Sequence, residues 1–183
     1  MPIFLLAFMD YSGKNSFEMI GALIIFAIIE FINGQYSCKN RQGRSVDWFV
    51  GYKLPKNKFQ IYPGSTILYA DDESTAWGPT EDLKTPRNAV AVTLKQYYDH
   101  KNEDVFYFFY NDQQPGERGE GHGRAHAKGV ALFGNSSGFW LLHSVPRFPS
   151  AKSYSYPSNG EIYGQSFLCI TLHSTSIDMF GKV

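Results

Sequence analysis

Apolar residues recur along this chain in short runs broken by glycine, proline and polar clusters, a rhythm that predicts strands more often than helices. Asp47-Trp-Phe-Val-Gly-Tyr-Lys-Leu54 is rich in strand formers. Gln60–Tyr62 and Thr66–Tyr69 predict a short hairpin around Pro63-Gly64, and 71–84 reads as a polar loop. Thr85-Pro86 then predicts a helix start, with Thr as N-cap and Pro in the first turn. Val90, Leu94, Tyr97 and Tyr98 supply its apolar face, and it should stop near His100.

Val105-Phe-Tyr-Phe-Phe-Tyr110 is a continuous apolar run, the pattern of a strand buried on both faces. The polar stretch 111–124 follows it, and then Val130–Phe133 and Gly138–Ser144 predict a hairpin. Val145-Pro-Arg-Phe-Pro149 ends that unit, and Tyr163–Leu172 gives one more strand. Strands outnumber helices in a mixed order, so the expected class is α/β or α+β.

Ahead of this pattern lies a different one. Residues 19–29 make an apolar run of signal-peptide length, ending near Glu30 and Gly34, and too short to cross a bilayer comfortably. The flanks lack a positive n-region, and Ile3–Met9 adds a second apolar stretch, so Met19 is an alternative start. The expectation is a leader over 1–34 and one domain over 35–183, secreted or lysosomal. The alternative is a membrane anchor formed by the apolar segment.

The 183 residues carry 43% hydrophobic and 16% aromatic content, enough for a full core in one domain. Formal charge is zero, which argues against a permanently basic nucleic-acid binder. Without 1–34 the balance is 16 − 14 = +2, rising to +7 if all five histidines protonate. An acidic compartment would therefore strengthen attraction to polyanions.

Two cysteines, Cys38 and Cys169, suit a secreted domain with one bridge, while two buried thiols remain the alternative. Asn135-Ser-Ser is an N-glycosylation acceptor in the predicted turn Gly134–Gly138.

The chemistry concentrates in Gly121-His-Gly-Arg-Ala-His126-Ala-Lys128-Gly129. On an extended segment, side chains two apart share a face, so His126 and Lys128 project together. An imidazole can attack phosphorus or protonate a leaving oxygen, and an ammonium neutralises phosphoryl charge. A lone His-x-Lys also arises by chance on solvated loops, so the tripeptide needs its surroundings. His122 and His126 have the spacing of metal ligands on a helix, but the glycines argue against a helix, and no metal is expected. His143 and Ser144 do not make a hydrolase triad, because adjacent strand residues point to opposite faces. Arg118, Arg124, Lys128 and Arg147 are the candidates for sequence-independent phosphate contacts.

Those surroundings carry a resemblance. His126-Ala-Lys-Gly-Val-Ala-Leu-Phe, Gly138-Phe-Trp-Leu-Leu-His-Ser-Val-Pro-Arg-Phe-Pro149 and Tyr163-Gly-Gln-Ser-Phe-Leu-Cys169 resemble the deoxyribonuclease II family. So do Cys38 with Val46-Asp-Trp-Phe-Val, Tyr52-Lys-Leu-Pro55 and Tyr110-Asn-Asp-Gln113, in the family's order. The resemblance implies a phospholipase D-like fold, a mixed sheet flanked by helices, with this chain as one of two similar halves. It also implies an acid-active endonuclease that needs no cofactor and leaves 3′-phosphates on DNA, with one His-x-Lys from each half. By position, His126 and Lys128 are catalytic, Cys38 and Cys169 match the family disulfide, and Ser144, Gln165 and Asn111 are candidate substrate contacts.

Two departures stand out. The family's acidic residue eight positions beyond the histidine is Gly134 here, and no second His-x-Lys exists, for His173 is followed by Ser174-Thr175. The expectations that follow are a partial product of a longer gene, a homodimer that completes the site about a two-fold axis, or a secreted DNA binder. No stable membrane partner is expected.

Overall fold

The computed structural model describes residues 35–56, 62–100, 105–113, 115 and 127–176. The predicted leader, His122, His126, Arg118 and Arg124 lie outside the described residues. Nine strands and one α-helix are found among those described: β1 Cys38–Lys39, β2 Ser45–Val46, β3 Trp48–Lys53, β4 Thr66–Asp71, β5 Glu81–Asp82, α1 Ala89–His100, β6 Phe106–Asn111, β7 Lys128–Phe133, β8 Ser137–His143 and β9 Gln165–His173. Seven strands form one sheet in the order β5-β4-β3-β9-β8-β7-β6, and β1-β2 form a small second one.

The class is therefore mixed, as expected, but every ladder between the named strands runs antiparallel rather than in mixed directions. Most pairs are neighbours in sequence joined by turns or loops, and a chain that reverses at each link lays its strands antiparallel. The predicted β7–β8 hairpin is present, with Phe133 opposite Gly138 and Asn135 exposed in its turn. Thr66–Asp71 pairs with β3 and β5, and the other arm of the predicted hairpin, 60–62, lies mostly outside the described residues. The predicted polar loop 71–84 contains β5.

The side-chain alternation of a strand separates two faces. One carries Phe49, Ile67, Phe109, Val130, Leu132, Phe139, Leu141, Phe167 and Cys169, which pack with Val90, Leu94 and Tyr97 of α1 into a single core. The Cys38–Cys169 disulfide ties β1 to β9 on that face, across 131 residues of sequence. The other face carries Tyr52, Phe106, Phe108, Tyr110, Trp140 and Leu168, partly or largely exposed.

Two local readings change. The helix begins at Ala89, not at Pro86, because Asn88 is the cap: its Oδ1 accepts the Ala91 N–H at 2.8 Å. The buried Glu81 carboxylate accepts the Ala89 N–H at 2.8 Å, so β5 and the helix start are locked together. Phe106–Asn111 is an edge strand, with Phe106 and Tyr107 exposed, rather than a strand buried on both sides. Its apolar run serves two contacts: Tyr107 and Phe109 meet Tyr97 edge-on, and Phe108 stacks on Tyr110.

Candidate active site

The site forms where β6, β7 and β8 end together on the covered face. Asn111 pairs with Lys128 across the β6–β7 ladder, and Gly129 pairs with Leu142 across β7–β8. Lys128 and His143 each lie one residue beyond that last pair, so the register carries both to the same end of the core face. Small residues at this end of β7 let the aromatic neighbours close over it. A Cβ on Gly129 would lie 2.4 Å from the Tyr110 hydroxyl, which itself accepts the Trp140 indole N–H at 3.0 Å.

Lys128 is almost wholly buried, its side chain 1% exposed, and its Nζ stands 2.5 Å from Oδ1 of Asp112, itself 6% exposed. A buried ammonium needs such a partner, because desolvating a lone charge costs several kcal/mol. Asp112 follows β6 by one residue and lies within the family-like Tyr110–Gln113 string, yet neither spacing nor periodicity marks it as a site residue. Only the β6–β7 pairing brings it to Lys128. Gly134, where the resemblance expects an acid, closes the opposite end of β7. Six extended residues place that position about 20 Å from Lys128, so a carboxylate there would not serve the lysine.

His143 shares the cavity with Lys128. Burial, with the charge of Lys128 beside it, holds its imidazole down at about 3. Its Nδ1 accepts the Val145 N–H at 3.2 Å, so the neutral ring carries its hydrogen on Nε2. That buried Nε2 has no hydrogen-bond partner among the described residues. The sequence reading of His143 as a strand residue is correct for its backbone, and the side chain is a neutral donor beside Lys128.

The three candidate substrate contacts are near this end of the sheet, and each already has a structural bond. The Asn111 side-chain amide donates to the carbonyls of Phe148 at 2.8 Å and Val145 at 3.3 Å, and its Oδ1 accepts the Gln113 N–H. Ser144 Oγ donates to Gln165 Oε1 at 2.5 Å and accepts the Ser166 N–H at 2.9 Å. Of the three, Ser144 lines an open cavity of about 330 Å³, with Tyr110, Lys128, His143, Ser166 and Leu168 among its other walls. Further along the core face the sequence reading missed Lys53, fully buried opposite Gln165, whose Nζ donates to the Glu161 carbonyl at 2.9 Å. Burial lowers it to about 8, partly offset by the Glu161 carboxylate.

Among the described residues no group of histidines, cysteines or carboxylates could hold a metal ion. Nor is any described helix long and apolar enough to cross a membrane.

The family model described as Deoxyribonuclease II matches residues 37–183. Cell-death-related nuclease 7 of Caenorhabditis elegans is 45% identical over 151 residues, 82% of this chain and 41% of that protein. Deoxyribonuclease-2-beta of Mus musculus is 39% identical over 156 residues, 82% of this chain and 44% of that protein. Deoxyribonuclease-2-alpha of Rattus norvegicus is 36% identical over 170 residues, 88% of this chain and 49% of that protein. The chain thus spans less than half the length of these relatives.

Proposed function

This chain belongs to the deoxyribonuclease II family, and from that premise we propose that it carries one half of a phosphodiesterase site acting on DNA without a metal. The observation that supports this best is the buried Lys128–Asp112 pair beside the neutral His143, with Lys128 and His143 on the cavity wall and Lys128 two residues from His126 in sequence. In this reading His126 attacks phosphorus, the P–O5′ bond breaks, and a second histidine gives its proton to the leaving 5′-oxygen. Water then cleaves the phosphohistidine and leaves a 3′-phosphate. Lys128 neutralises the phosphoryl oxygens, and His143 donates its Nε2–H to one of them. Ser144, Gln165 and Asn111 hold the cavity wall in place.

The chemistry asks for a second His-x-Lys, and this sequence has one. A second copy of the chain would supply it. The open sheet face favours that reading, because Leu142, Ser166 and Leu168 of that face also line the cavity, and a partner seated there would close it. Each half then has a phospholipase D-like role. The protein is assigned to a secreted or lysosomal setting, with Asn135 as its glycan acceptor. The single motif also supports a second reading, a protein that holds DNA without cutting it.

One experiment separates them. Purified protein and its His126→Ala variant are incubated with supercoiled plasmid at about pH 5 in a chelator, and mass in solution is measured. Nicking by a dimer, abolished by the substitution, supports the assembled site. Retardation without nicking supports the binder, and nicking that survives His126→Ala overturns the assignment.

A further inference from the structure

We infer that Asp112 is the positioning residue of this site, fixing the Lys128 ammonium in the cavity before any phosphate arrives. The inference rests on the phosphodiesterase reading and adds a residue to it.

Three observations carry the assignment. First, the Lys128 Nζ and the Asp112 Oδ1 meet at 2.5 Å with both side chains nearly excluded from solvent, so neither charge can be left alone there without cost. Second, a lysine is a point charge on a four-carbon stem, and by itself it would sample many rotamers. Aspartate has a short side chain, and the backbone on either side of Asp112 is tied down. Asn111 is bonded through its amide to the Val145 and Phe148 carbonyls, and the Gln113 carbonyl accepts the Arg147 N–H at 3.0 Å. The carboxylate is therefore held by the fold, and the lysine is held by the carboxylate, the arrangement a preorganised site requires. Third, the charge of Lys128 is felt at His143, where it helps to keep the imidazole neutral. Displacing the ammonium would change that neighbour too.

Asn111 and Asp112 divide the work. One staples the end of β6 to the segment after β8, and the other faces the lysine. This gives the Tyr110–Gln113 string a physical role that its spacing did not show.

The test uses the full chain with Asp112→Asn, Asp112→Glu, Lys128→Met and the double variant Asp112→Asn/Lys128→Met. Lys128 is followed by the rate of reductive methylation, read by mass spectrometry of its peptide. Asp112→Asn should raise that rate by about tenfold or more, and Asp112→Glu should bring most of the protection back. If Asp112→Asn does not fold, the double variant still decides: the two single changes should each lower the unfolding midpoint more than the double change does, because the double change removes both charges. Additive midpoints, or a methylation rate unmoved by Asp112→Asn, would overturn the inference. In a chain that nicks plasmid, Asp112→Asn should lower turnover by about a hundredfold with KM changed less than about threefold, and Asp112→Glu should partly restore it. An equal loss through KM alone would count against positioning. Methylation and midpoints report on Asp112 whether or not the parent cuts DNA, so failure of the nuclease reading is seen separately, as a parent without nicking.

Discussion

The two faces of the seven-stranded sheet are built from the same strands and have opposite fates. Leu141 on β8 lies on the helix-covered face and is fully buried, whereas Leu168, opposite the next residue, Leu142, lies on the other face and remains 37% exposed. The covered face holds the disulfide, the aliphatic core and, at one end, the buried charges of the site. The open face is no less apolar, with Tyr52, Phe106, Trp140 and Leu168 spread across it, but among the described residues no helix packs on it. Hydrophobicity alone therefore does not say which face is core. What separates them is the connection after β5, which returns α1 to one side only.

The contrast can be broken at its strongest point by removing the bridge. Cys38→Ser with Cys169→Ser should cost about 5 kcal/mol, since a closed loop of this length restricts the unfolded chain in the entropic account. A denaturant melt of the variant checks it, and a loss under about 1 kcal/mol would mean that the covered face needs no staple. Next come matched truncations across the sheet. Leu141→Ala should cost about 3 kcal/mol by cavity formation, and Leu168→Ala less than about 1 kcal/mol in a monomer. Equal losses would show that the open face is covered in solution, and would sharpen the case for a second copy.

A third contrast concerns acid. His143 titrates at about 3 when folded, against an ordinary value of 6.5, so the unfolded chain binds the extra proton first. Its contribution is fully present above pH 6.5 and is lost as pH falls toward 3, reaching about 2–3 kcal/mol by pH 4.5. Unfolding of His143→Gln at pH 7 and pH 4.5 should therefore show a shallower pH dependence than the parent. Glu81 works in the other direction. Burial raises its carboxyl, partly offset by the Ala89 N–H and Arg41, so its protonation in acid relieves a cost. A parent with no loss between these two pH values would place a charged His143 inside the folded protein.

Much of the fold was legible because it depends on neighbours in sequence. The β7–β8 hairpin follows from two apolar runs around a glycine turn, and the helix from Val90, Leu94 and Tyr97 at helical spacing. The errors have equally local causes. Thr85-Pro86 resembles a helix start, but Asn88, three residues on, makes the capping bond, and the intervening residues form turns. The aromatic run 105–110 resembles a central strand, since an edge strand that packs on a helix with one face and stacks its rings on the other is apolar throughout.

The sequence by itself determined the six longer strands, the pairing partners available to Cys38 and Cys169, and the His-x-Lys string within the family resemblance. Strand periodicity and a short motif are properties of adjacent residues, and both survive without knowledge of the fold. Tertiary structure alone decided that Asp112 meets Lys128, that His143 is a neutral donor beside it, and that Asn111 braces a loop. Those contacts depend on register between strands and on burial, which sets whether a charge keeps its proton. Residues 16 and 31 positions apart acquire a shared chemistry only when the sheet closes.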